Sequence, residues 1–214
     1  MVGVLYVILK NMKPYPILIS ALMLSFLSCV VAEPDRQLRA FLGITSVTSK
    51  VKLEAIAHYF EVIVFQEGKE IARLPTYMGF DPDPDHREID VSLMFNDKGV
   101  VKFIGEGSVK DLSDDLDWSG VLKPTGGKSF HTGTSDKPIG LIEGFKVVGM
   151  VRLDPRNAGT AKFKTQPDLE MDESIRRSIE NAKGCVLVVF KSGSQGEIEK
   201  AWSDSVNANK KKAE

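Results

Sequence analysis

Between Glu88 and Phe95 the chain alternates strictly: Ile89, Val91, Leu93 and Phe95 take turns with Glu88, Asp90, Ser92 and Met94. Successive side chains of an extended chain point to opposite faces, so this spacing puts four apolar residues on one side and specifies a strand with one buried face. Period two dominates from Leu38 to about Leu153. Asn96-Asp97-Lys98-Gly99 supplies turn residues and Val100 to Ile104 resumes, so 88–104 reads as a hairpin. A second hairpin joins His58–Gln66 to Ile71–Leu74 through Glu67-Gly68. Its first strand has Phe60, Val62 and Val64 on one face and Ile63 and Phe65 on the other, which predicts a central strand covered on both sides. Phe145 to Leu153 reads as another strand, with Phe145, Val147, Val151 and Leu153 toward the core. Leu38–Val47 and Val51–Ala57 complete the expected set.

After Asp154 the pattern turns helical. Asp172 can cap a helix over 173–183 whose apolar face is Ile175, Ile179 and Ala182, with Gly184 at the expected left-handed C-terminal cap. Cys185 to Phe190 is a continuous apolar run of strand length, which predicts burial on both faces and an inert, core cysteine. Ser194-Gln195-Gly196-Glu197 is a capping box opening a last helix with Ile198, Ala201, Trp202 and Val206 on its apolar side. Residues 207–214 lack an apolar stripe and read as a flexible polar tail. The expected fold is therefore α+β and β-rich: an antiparallel β-sandwich-like or barrel-like sheet, with two C-terminal helices flanking a buried strand. No repeat or Gly/Ser linker divides it, so 33–206 reads as one domain.

Residues 1–32 carry no acid, and Lys10 and Lys13 precede an apolar run from Ile17 to Ala32. A positive flank, an apolar stretch and small terminal residues form the layout of a secretory signal, with cleavage expected after Ala32. Translation from Met12 rather than Met1 would leave a compact signal by itself. Two alternatives are retention as a membrane anchor and lipidation at Cys29, whose preceding residues only loosely follow a lipobox. The expected location is thus exported, periplasmic or secreted, with membrane contact only through this segment. Loss of Lys10 and Lys13 takes the net charge from −1 to −3 and leaves Cys185 as the one cysteine, so the body must be held by its core. With 43% hydrophobic residues and near-neutral charge, intrinsic disorder and a dedicated nucleic-acid binder are both excluded.

Candidate chemistry is sparse. Residues 105–144 hold eight of the 18 glycines and weak periodicity, and they include Trp118, Phe130 and His131. Rings on such loops can stack on a sugar or a partner side chain. The competing expectation is that Val121-Leu122, Ser129-Phe130 and Leu141-Ile142 are short strands with the aromatics packed inward. Asp81, Asp83 and Asp85 alternate as hard-cation ligands do, and Asp111, Asp114, Asp115 and Asp117 could complete a calcium site. An EF-hand is excluded, because His86 and Ser92 stand where glycine and glutamate are needed. Gly126-Gly127-Lys128-Ser129 lacks the first glycine of a phosphate loop, since position 122 is Leu122. The three histidines have no zinc spacing. The expected function is a non-catalytic module that binds a protein or glycan, without a cofactor, through loops at one end of its sheet. The alternatives are a hydrolase-type enzyme using His131, and a calcium-dependent module using loops 81–90 and 111–117.

Overall fold

The computed structural model describes residues 43–84, 87–96, 98–122, 130–134, 138–153 and 173–213, with the side chains of 130–134 and 210–213 outside that description. The unit from Gly43 onward is an α+β, β-rich fold of two antiparallel sheets that do not close into a barrel. The first sheet has strand order β1-β4-β5-β6, from Ile44–Lys52 (β1), Glu88–Asn96 (β4), Val101–Gly105 (β5) and Ser108–Asp111 (β6). The second has order β3-β2-β10-β9-β7, from Lys69–Phe80 (β3), Ala57–Gln66 (β2), Gly184–Gly193 (β10), Phe145–Leu153 (β9) and Phe130–Thr134 (β7). Gly140–Ile142 (β8) also pairs with β9.

The alternation of β4 does what its spacing dictates. Ile89, Val91, Leu93 and Phe95 are buried and meet Phe60, Val62, Val64, Val186 and Val188 from the inner face of the second sheet. The outer face of that sheet carries Tyr59, Ile63, Phe65, Leu187 and Val189 beneath two helices, Glu173–Asn181 (α2) and Gln195–Ala213 (α3). A short helix, Ser119–Leu122 (α1), precedes them. The layers are therefore sheet, sheet, helices, and β2 and β10 are covered on both sides. Cys185 is buried in this second core.

β1 lies against β9, where the register slips at Val148. A bulge leaves a carbonyl without its ladder partner, and the Val148 carbonyl accepts the Ser49 hydroxyl across the two sheets. The other long side brings the edge strands β3 and β6 together with a groove between them.

Several boundaries differ from expectation. The first strand is a single run from Ile44 to Lys52, and residues 53–56 form the connection to β2. Val121-Leu122 is helical, because the Asp117 carboxylate accepts the Ser119 N–H (3.0 Å) and starts a turn there. Gly184 is the first residue of β10 rather than a cap. The last helix runs through Ala213 and includes most of the expected tail. Lysines favour helix and suit its C-terminal end, and Asn209 donates to the Arg73 carbonyl. The capping box forms in part: Glu197 Oε2 accepts both the Ser194 N–H (2.9 Å) and its hydroxyl (2.7 Å). Asp172 and the segment 1–42 lie outside the described residues. Among the described residues no helix is long and apolar enough to cross a membrane.

Candidate functional site: a groove between two strand edges

β6 hangs on β5 through Glu106-Gly107, whose φ angles are 47° and 75°. Positive φ at both central positions is the two-residue turn that matches strand twist. Such a turn makes Gly105 and Ser108 the first hydrogen-bonded pair, and pairs alternate from there. Phe103–Lys110 bonds next, and Val101–Leu112 after it, consistent with the Leu112 N–H to Val101 carbonyl bond of 2.9 Å. The N–H and C=O groups of Val109 and Asp111 therefore point away from β5. Among the described residues β6 pairs only with β5, all four of its residues are exposed, and Val109 is 60% exposed.

Across from that edge lies the edge of β3. The space between them, about 440 Å³, is walled by Tyr77, Met78, Phe103, Val109, Lys110 and Trp202. Tyr77 is opposite Phe60 in the β2–β3 register and packs inward. Trp202 reaches the β3 edge from α3 and meets Tyr59 edge-on, with ring centroids 5.6 Å apart.

One end of the groove is closed by polar side chains. The Tyr77 hydroxyl donates to Glu106, and Arg87 bridges Glu106 and Asp81. Burial, followed by the Glu106 carboxylate, pushes the Tyr77 phenol up to about 12. The backbone N–H of Asp83 (3.0 Å), followed by the Arg87 guanidinium, holds the Asp81 carboxyl below its usual range. Behind them His58 is 1% exposed, with neither ring nitrogen hydrogen-bonded and Nε2 3.9 Å from Glu106. Its ring lies over Gly79, its β3 partner, where a Cβ would collide with Nε2. Burial lowers the His58 pKa, against the opposing pull of Glu106 and Asp81.

The residues singled out in the sequence fall elsewhere. Trp118 is 2% exposed in the core between the sheets, and its indole N–H donates to the Leu112 carbonyl (2.7 Å). Its ring is a plug under the sandwich and not a stacking platform, as the inward-packing alternative has it. The backbones of Phe130 and His131 lie in β7 opposite Leu153 and Arg152, and their side chains are outside the described residues. So are Asp85 and His86.

The two acidic loops do not share an end. Residues 81–84 adjoin the Glu88 end of the first sheet, beside Glu106, whereas Asp111 pairs with Lys102 toward the opposite end. Their carboxylates also have partners of their own: Asp81 has Arg87, Asp111 has Ser113, and Asp117 caps α1. Asp114 and Asp115 are exposed. Among the described residues no three His, Cys, Asp or Glu side chains are placed to hold a metal ion. The joint calcium site therefore loses its geometry.

Sequence reading missed His58, Tyr77 and Glu106 as a group, since they are far apart along the chain. A signal was present in His58 and Glu61, two titratable residues inside a strand read as buried on both faces. The chain matches no family model, no curated protein and no solved structure.

Proposed function

We propose that this chain is an exported, non-catalytic binding module that takes an extended peptide segment of a partner into the groove between β6 and β3. The observation that carries the reading is the outward backbone of Val109 and Asp111, on a fully exposed strand beside an aromatic-walled groove. A strand edge offers donors and acceptors at the repeat of another strand, and a groove alongside supplies pockets for alternate side chains. The leader over residues 1–32 supports export, and the part of the 105–144 stretch that lines the groove is the edge strand β6 rather than a loop.

The test is selection of a random peptide library on the immobilised chain, with affinities of the selected peptides measured by fluorescence polarisation. Val109→Pro removes one outward N–H without touching the β5 pairing. Enriched peptides should show apolar residues at every second position, and Val109→Pro should weaken them by about tenfold, the scale of one or two lost backbone hydrogen bonds. Absence of any enriched peptide, or binding indifferent to Val109→Pro, would overturn the reading.

A further inference from the structure

On the opposite face of the second sheet, α3 leaves a separate cleft of about 500 Å³. Glu61 forms part of its wall although it is 1% exposed, and its Oε1 accepts the Ser205 hydroxyl from α3. A carboxylate buried in a sheet otherwise made of Tyr59, Ile63, Val189 and Leu187 is costly, and such groups gather at ligand sites. Burial raises the Glu61 pKa, while Ser205 and Arg73 pull it back only in part.

The nearby cations differ in their commitments. Arg73 is held by Glu70 (2.8 Å) and Glu143 (2.5 Å), and Lys191 Nζ stands 5.5 Å from the centre of the Phe145 ring. Glu197, also on the wall, is engaged by Ser194. Lys200, also on α3, lines the same cleft from an exposed helix position. The cleft wall thus carries the buried Glu61 carboxylate, the exposed Glu197 and Asp204 carboxylates of α3, and the ammonium groups of Lys191 and Lys200.

We infer that this cleft binds a small zwitterion, with its ammonium on Glu61 and its carboxylate toward Lys191 and Lys200, as a free α-amino acid would be held. Charge-assisted hydrogen bonds at both ends select a ligand carrying both groups over one carrying either. The site is independent of the β6 groove.

Isothermal titration of the full chain with glycine, L-alanine, L-lysine and L-glutamate tests it, with ethylamine and propionate as half-ligands. At least one amino acid should bind about tenfold or more tightly than either half-ligand, because each removed end leaves a charged partner unpaired. Glu61→Gln, which keeps an acceptor for Ser205, and Lys200→Ala, at an exposed position, should each weaken that amino acid by about tenfold. Val109→Pro should leave it unchanged. No heat with any amino acid at millimolar concentration would overturn the inference. So would half-ligands binding equally well, or binding that survives Glu61→Gln.

Discussion

Gly184 opens β10 directly beneath the Val121 carbonyl, where a Cβ would overlap backbone that belongs to α1 and cannot swing aside. Gly184→Ala is expected to cost about 2–3 kcal/mol, the usual penalty for forcing atoms into a filled site. A urea unfolding curve measures it, and a loss below about 0.5 kcal/mol would place it among neutral surface changes. The sequence assigns this glycine to a helix cap because it follows an amphipathic run, whereas its role comes from an α1 residue some sixty positions earlier. Trp118 carries the same lesson. A ring amid glycines and acids looks exposed in one dimension, and only the packing of Leu112, Val121 and Leu122 around it explains its burial.

At the scale of elements, three hairpins turn on the same dipeptide. Glu67-Gly68, Glu106-Gly107 and Glu143-Gly144 all have positive φ at both residues. A left-handed conformation disfavours glutamate more than asparagine. Glu67→Asn should therefore gain about 0.5–1 kcal/mol, read as a rise in the urea midpoint. Glu106→Asn makes the same backbone gain but removes the acceptor for Tyr77 and Arg87, so it should destabilise by about 1 kcal/mol or more. If both variants move together, the polar closure contributes nothing. β2 and β4 were legible because their alternation holds over six or more residues, and β10 because its apolar run is unbroken. In β9, by contrast, the bulge at Val148 turns Phe145 and Val147 to the outer face and Val151 to the inner one. β6, β7 and β8 span only 3 to 5 residues, too few for alternation to stand out. The local signal for β6 and β8 is the Glu-Gly turn at 106–107 and 143–144, the same dipeptide that marks the hairpin at 67–68. The groove was illegible for a different reason: it arises from the meeting of two edges, and no local pattern records which edges meet.

Across the whole unit, two buried groups pull stability in opposite directions with pH. The His58 pKa is depressed below 6.5, so its contribution is complete above pH 6.5 and is lost as pH falls through the folded value. The Glu61 pKa is raised above 4.5, so its contribution is present below pH 4.5 and is lost as pH rises through the folded value. Urea midpoints across about pH 4 to 8 should show His58→Phe abolishing part of the acid-side fall and Glu61→Gln flattening part of the loss toward neutrality. Profiles parallel to that of the parent chain would show that neither group titrates differently on folding. The two long sides of the sandwich also have unequal consequences. Along β1 and β9 the layers are stitched by Ser49, but along β3 and β6 they gape, so every copy of the chain carries a landing strip that another copy could use. Crowding such molecules invites head-to-tail fibre growth, and the adjacent opposite charges of Lys110 and Asp111 on that short rim act as the brake.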